Sequence, residues 1–181
     1  WTINAVGNGT ITVEQKSLVA SVTSDPSYAL AITWTTGFTE LRLNQILTNS
    51  PHLLYGNTAS ASLVAATNSG EAIVRVFYIP SDTGLEFLLA TGVATTSYNT
   101  ISGSRDITTA NTDGASGNVT FSIQIDSLDT GNTLNITSAQ LVRVSNSTIV
   151  ASYIQQTVQQ ELNGIMWFYE PQLAFKPIPS Y

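Results

Sequence analysis

Few side chains in this sequence are suited to catalysis. The single histidine, His52, lies in the segment NSPHLLYG, whose proline and glycine indicate a loop. A Ser-His-Asp triad would depend on His52 alone, and no nucleophile motif lies near it. Cysteine is absent, so thiol catalysis, disulfides and zinc-thiolate sites are excluded. The residue types therefore predict that the chain is not an enzyme.

The acidic residues do not form a recognisable glycosidase pair. Glycoside hydrolysis needs two carboxyl groups that face one cleft. The candidate acids fall on different predicted strands, and the sequence alone does not pair them. These candidates are Glu40, Glu71, Glu86, Asp106 and Asp126.

One glycine-bearing loop, residues 111–118 (NTDGASGN), carries oxygen ligands of the kind that calcium prefers. Asn111, Asp113, Ser116 and Asn118 could supply some of them. The loop lacks a closing bidentate glutamate, and ordinary turn chemistry explains its Asp-Gly and Ser-Gly pairs. We therefore predict no metal ion and no cofactor.

Binding chemistry is better represented than catalytic chemistry. Sugar sites commonly combine flat aromatic faces with polar groups that contact hydroxyls. Three tyrosines lie near turns or sheet surfaces, and several polar side chains lie on predicted strands that could line a concave face. The alternative is that the tyrosines are edge-of-core residues with solvated hydroxyls. The candidate ligand-binding residues are Tyr55, Tyr78, Tyr98, Arg75 and Gln124. Arg42 and Asn44 are further polar residues that could line such a face.

The elements that must position these side chains are β-strands. In residues 119–126 apolar side chains alternate with polar ones, which predicts a strand with one buried face. Similar runs recur at short intervals between Gly, Pro, Asn, Asp and Ser clusters. An all-β antiparallel β-sandwich (jelly roll) is therefore predicted for residues 1–144. The predicted strands are 11–15, 28–35, 40–47, 57–66, 71–79, 85–93, 98–107, 119–126 and 134–144.

Residues 145–181 follow a different pattern. Apolar residues recur every three or four positions opposite a row of glutamines, which predicts a helix followed by an aromatic, proline-punctuated tail. The β-branched start at 148–150 leaves a strand open as the alternative. This segment would pack either on its own sandwich or on neighbouring copies of the chain. The candidate oligomer-interface residues are Val150, Ile154, Val158, Leu162 and Trp167.

Composition narrows the range of partners. Of 181 residues, 43% are hydrophobic and 10% charged, with a net charge of −6; an average domain is about 25% charged. The two lysines and four arginines are scattered, so binding to nucleic acid is disfavoured. No apolar run approaches the ~20 residues of a membrane span, so membrane insertion is not predicted. The start at Trp1 suggests a fragment.

The order of several segments resembles the jelly-roll domains of bacteriophage tail fibres and other virion appendages, which are similar to carbohydrate-binding modules. The resemblance covers residues 42–171. It rests on RLNQILTNSPHLLYGNTASASLVAAT, GEAIVRVFYI, TLNITSAQLVRVS and QQELNGIMWFYEP.

This resemblance implies a non-enzymatic structural domain of a phage virion protein, in a tail fibre, head fibre or capsid decoration. It also implies a homo-oligomer, with a trimer favoured, that contacts other virion proteins and a host surface glycan. The alternative is a carbohydrate-binding module of a secreted, extracellular glycan-degrading enzyme.

Overall fold

The computed structural model describes residues 2–7, 9–17, 28–35, 38–47, 57–81, 84–107, 118–127 and 130–144. These residues form ten β-strands, paired antiparallel throughout, which confirms the predicted antiparallel sandwich. The predicted C-terminal helix and tail, 145–181, lie outside the described residues. The strands are β1 (Thr2–Gly7), β2 (Ile11–Ser17), β3 (Tyr28–Trp34), β4 (Phe38–Leu47), β5 (Thr58–Thr67), β6 (Ala72–Pro80), β7 (Phe87–Ala94), β8 (Asn99–Asp106), β9 (Val119–Ser127) and β10 (Thr133–Val144).

The strands form two five-stranded sheets. Sheet A has the order β1-β4-β9-β6-β7, and sheet B has the order β2-β3-β10-β5-β8. The eight strands from β3 to β10 are divided between the sheets in the order of a jelly roll. Strand β1 extends sheet A beyond β4, and β2 extends sheet B beyond β3. Strand β1 was not predicted from the sequence, because every residue of this short strand is exposed and it carries no run of large alternating side chains.

The core lies between the two sheets and follows the predicted alternation. On β9 the inner side chains Val119, Phe121, Ile123 and Ile125 are buried. They pack in one cluster with inner residues of both sheets. Each such aliphatic or aromatic side chain contributes about 1.5–3 kcal/mol on burial. The cluster includes Ile32, Leu41, Leu43, Leu63, Val74, Val76, Tyr78, Ile101 and Leu134.

One side of the sandwich closes where β7 and β8 come together. Gly103 on β8 faces the backbone of β7 so closely that a Cβ atom there would collide with the carbonyl oxygen of Leu89. Gly92 on β7 likewise leaves room for the side chain of Ile101. Glycine at these two positions therefore lets the edges of the two sheets meet.

Candidate functional site

The outer face of sheet A carries a row of polar side chains that crosses all five strands. Asn4 pairs with Arg42, Arg42 with Gln124, Gln124 with Arg75, and Arg75 with Thr91. Directly paired residues place their side chains on the same face of a sheet. The row spans roughly 19 Å, because neighbouring strands lie about 4.8 Å apart.

A second row runs beside the first. Thr2 pairs with Asn44, Asn44 with Ser122, Ser122 with Phe77, and Phe77 with Leu88. On four of the strands each residue lies two positions from a member of the first row, so it projects from the same side. On β7 a register shift in the pairing with β6 makes this separation three, from Leu88 to Thr91. We call the surface made by these ten residues the two-row face.

Ion pairs hold both guanidinium groups of the two-row face. Arg42 Nε donates to Glu40 Oε1 at 2.7 Å, and Arg42 Nη1 pairs with Glu86, which lies just before β7. The hydrogen bond to Glu86, followed by the one to Glu40, raises the pKa of Arg42 above its ordinary value against the opposing effect of burial. Arg75 pairs with Asp126. Among the described residues, these three carboxylates and two guanidiniums leave this region with one net negative charge.

Arg42 also covers the aromatic ring on this face. Its guanidinium carbon lies 5.5 Å from the ring centroid of Phe77. Phe77 is 9% exposed. A cation over an aromatic face contributes about 0.5–1 kcal/mol at such partly exposed positions. Arg42 is therefore fixed by three neighbours: two carboxylates and one ring.

The floor of the two-row face contains acceptor atoms that have no protein partner. These atoms are Asn44 Oδ1, Ser122 Oγ and Gln124 Oε1. Ser122 is 0% and Gln124 5% exposed. The amide nitrogen of Gln124 donates to Asp126 Oδ1 at 2.5 Å, which orients the side chain. An unpaired buried polar group costs about 1–3 kcal/mol, so these three atoms are candidates for hydrogen bonds to a ligand.

The structure brings together four of the polar residues that the sequence analysis selected. Gln124 is the direct neighbour of both Arg75 and Arg42, and Asn44 lies in the adjacent row. Their proximity depends on the β4-β9-β6 strand order, which joins segments far apart in the chain.

Tyr78, a predicted ligand-binding residue, does not lie on the two-row face. Its side chain is 0% exposed, and its ring packs in the core against Phe87, with centroids 6.2 Å apart. Tyr78 pairs with Phe121 of β9, whose side chain points inward, and this register places Tyr78 on the inner face. Successive residues on β6 alternate faces, so the outward position of Phe77 requires Tyr78 to point inward.

The other predicted site residues are not part of the two-row face. Tyr98 lies between β7 and β8, half-buried, and burial raises the pKa of its hydroxyl. Tyr55, His52 and residues 111–117 lie outside the described residues. The five candidate interface residues between 150 and 167 do so as well.

Ser122 and Phe77 were not predicted as site residues. Their positions follow from the strand alternation, since Ser122 precedes Gln124 by two residues and Phe77 follows Arg75 by two. Glu40, Glu86 and Asp126 were predicted only as possible glycosidase acids. Their observed role is to pair with the guanidinium groups of Arg42 and Arg75.

A cavity of about 310 Å³ is lined by core residues such as Leu43 and Ile123 and by three polar residues, Gln45, Thr137 and Ser138. Within the described ranges, no group of three or more His, Cys, Asp or Glu residues is placed to hold a metal ion. No described helix is long and apolar enough to span a membrane.

Solved structures share this fold at low sequence identity. The enzymatically active domain of tailspike protein 4 of bacteriophage CBA120 matches with a TM-score of 0.55 and 13% identity, over 80% of this chain and 19% of that chain. An exo-β-agarase matches with a TM-score of 0.51 and 12% identity, over 98% of this chain and 30% of that one. A CBM4 structure matches with a TM-score of 0.50 and 17% identity, over 73% and 78% of the two chains.

These likenesses show the fold: the chain is a β-sandwich like those of carbohydrate-binding modules and a phage tailspike domain. It spans less than a third of the tailspike and agarase chains. No protein-family model matches the sequence, and the search of curated proteins found no match.

Proposed function

We propose that this protein is a non-enzymatic carbohydrate-binding domain that holds a glycan on the two-row face. The observation that carries the proposal is the set of unpartnered acceptors on Asn44, Ser122 and Gln124, flanked by Arg42 and Arg75. Sugars present many hydroxyl groups close together, and each hydroxyl both donates and accepts hydrogen bonds. A rigid array of amide, hydroxyl, guanidinium and carboxylate groups is complementary to that chemistry.

Preorganisation supports the same function. The polar side chains stand on paired strands rather than on loops, and ion pairs or hydrogen bonds to Glu40, Glu86 and Asp126 orient three of them. A site whose side chains are already ordered loses less conformational entropy when a ligand binds. Tyr98 and Tyr55 remain proposed ligand contacts, because an aromatic face suits a sugar ring.

Calorimetric titration with a panel of oligosaccharides tests the proposal. The wild-type chain should bind at least one glycan, and Gln124→Ala should weaken that binding about tenfold, because the loss of a buried hydrogen-bonding group costs 1–3 kcal/mol. Gln15→Ala is the matched control, since Gln15 is an exposed glutamine on β2 of sheet B. Failure to bind any glycan, or equal losses in both variants, would contradict the proposal.

A second candidate is a structural part of a phage virion, for which the glycan would be on a host surface. The likeness to the tailspike domain supports this candidate at the level of fold. Large apolar residues are also exposed on the two N-terminal strands, Ile3 and Val6 on β1 and Val13 on β2. Exposed apolar residues on added edge strands are typical of a surface that another chain covers.

This candidate predicts self-association, with a trimer favoured, whereas a module of a secreted enzyme is expected to be monomeric. Light scattering on the full chain distinguishes the two. Replacing Val158 and Leu162 together by Asp should reduce a trimer to monomers, because charge would enter the proposed apolar interface. A monomeric wild-type chain would contradict the virion candidate and leave glycan binding by the two-row face unaffected.

A further inference from the structure

We infer that the two-row face selects neutral, hydroxyl-rich glycans and discriminates against glycans that carry carboxylate or sulfate groups. This inference rests on the proposed function and adds the chemical class of the ligand. Two independent features of the face support it. The first is the kind of hydrogen-bonding atom that has no protein partner, and the second is the pairing of both guanidinium groups with carboxylates.

The floor atoms without a protein partner are two amide oxygens and the hydroxyl of Ser122, and the hydroxyl both donates and accepts. Asn44 Oδ1 and Gln124 Oε1 are amide carbonyl oxygens, which accept and do not donate. The ligand group that satisfies them must therefore carry a hydrogen to donate. A sugar hydroxyl does so, whereas an ionised carboxylate or a sulfate ester offers acceptors only. An acidic group placed over these atoms would leave them unpaired and would add its own desolvation cost.

The positive charges of the face are already engaged. Recognition of carboxylate or sulfate is strongest at a guanidinium group whose charge is not already balanced by a protein carboxylate. Arg42 is shared between Glu40 and Glu86, and Arg75 is paired with Asp126. The net charge of this region, counted over described residues, is negative, and the whole chain carries −6. An anionic glycan therefore meets repulsion and no unpaired cation on this face.

The charge pairing also identifies the residue that sets the discrimination. Asp126 neutralises Arg75 and, through its other oxygen, accepts the hydrogen bond from Gln124 Nε2. In Asp126→Asn the amide oxygen can still accept from Gln124, while the guanidinium of Arg75 becomes available to an anion. The substitution should therefore weaken the preference for neutral over acidic glycans and leave the arrangement of the other side chains on the two-row face unchanged.

The experiment compares neutral and acidic oligosaccharides of matched length by calorimetric titration at low ionic strength. The neutral probes are β-1,4-galactotriose, xylohexaose and an agarose hexamer, and the acidic probes are tri- and hexagalacturonate and a sulfated galactan hexamer. The best neutral probe should bind at least tenfold more tightly than any acidic one. In Asp126→Asn the affinity for acidic probes should rise about fivefold or more. The control Glu14→Gln makes the same charge change on β2 of sheet B and should shift acidic binding by less than twofold.

The outcomes separate this inference from the function on which it rests. Acidic probes that bind as tightly as neutral ones, or an Asp126→Asn variant no different from Glu14→Gln, would overturn the neutral-glycan inference while glycan binding itself stood. If neither class binds to the wild-type chain, the proposed function fails, and the inference fails with it.

Discussion

Replacing Ser122 with alanine separates a binding role from a structural role for this buried hydroxyl. Ser122 lies at the centre of the two-row face, is 0% exposed, and its Oγ has no hydrogen-bond partner in the fold. If the hydroxyl stabilised the sheet, its removal would lower the free energy of unfolding. A hydroxyl kept for a ligand should be dispensable in the free protein and needed only in the complex.

The magnitude follows from the cost of an unpaired buried polar group. That cost is about 1–3 kcal/mol, and Ser122→Ala removes it at the expense of the packing of one oxygen atom. We therefore expect the free energy of unfolding to rise by about 1 kcal/mol, which corresponds to an increase in Tm of about 2–4 °C for a chain of this size. Loss of one hydrogen bond to the ligand should weaken glycan binding about fivefold, equivalent to about 1 kcal/mol.

Ser62 provides a matched control. It lies on β5 of sheet B, is 2% exposed, and its Oγ is likewise without a partner. Ser62→Ala should raise stability by a similar amount and leave glycan affinity unchanged, because Ser62 is outside the two-row face.

Urea and thermal unfolding measure the first effect, and calorimetric titration with the best-binding oligosaccharide measures the second. A loss of more than 1 kcal/mol of stability in Ser122→Ala would show that its hydroxyl is bonded within the fold and would refute the reasoning. Equal glycan affinity in Ser122→Ala and the wild type would refute its role in binding.

Three further predictions concern the same scaffold. Gly103→Ala should destabilise the fold by roughly 2–3 kcal/mol in urea unfolding because its Cβ would collide with β7. Gly84→Ala has open space around its Cβ but a φ of +64°, and should cost only about 1 kcal/mol. Equal losses in the two variants would contradict the close approach of β8 to β7. Arg42→Met should weaken glycan binding about tenfold, as expected for a lost charge-assisted contact. It should lower the free energy of unfolding by less than about 1 kcal/mol, because the ion pairs of Arg42 are partly exposed. A larger loss of stability would indicate a structural role for Arg42. Burial raises the pKa of Tyr98 above its unfolded value near 10, so the contribution of the neutral hydroxyl to stability is complete below that pH and is lost as the pH rises through the folded pKa. Tyr98→Phe should therefore reduce the fall in Tm at alkaline pH. An unchanged fall in Tm would contradict the burial of this hydroxyl as its cause.

The sandwich was predictable because its signal is local. The alternation of residues 119–126 identified β9, and its inner and outer faces agree with the structure. The outer positions of β9 also held the best site residue, Gln124, whose polar neighbours at two-residue spacing were visible in the sequence. Strand β1 escaped prediction because an exposed edge strand needs no buried face and so carries no alternation.

The site itself was only partly predictable because it is assembled from distant segments. The Arg42–Glu86 pair joins residues 44 positions apart, and only the strand order reveals it. The inward position of Tyr78 was not predicted, because β6 is apolar on both faces and its composition does not say which side is buried. Arg75 and Tyr78 lie three positions apart on β6, so the strand alternation alone predicts that their side chains point to opposite faces of the sheet.

The central claim is that a glycan binds on the outer face of sheet A. The most direct measurement is a titration of the isotopically labelled chain with a neutral oligosaccharide, followed by two-dimensional NMR. The side-chain amide signals of Asn44 and Gln124 and the guanidinium signals of Arg42 and Arg75 should shift together and saturate at one ligand concentration. Shifts confined to sheet B, or no shift at these four residues while ligand binds, would contradict the account.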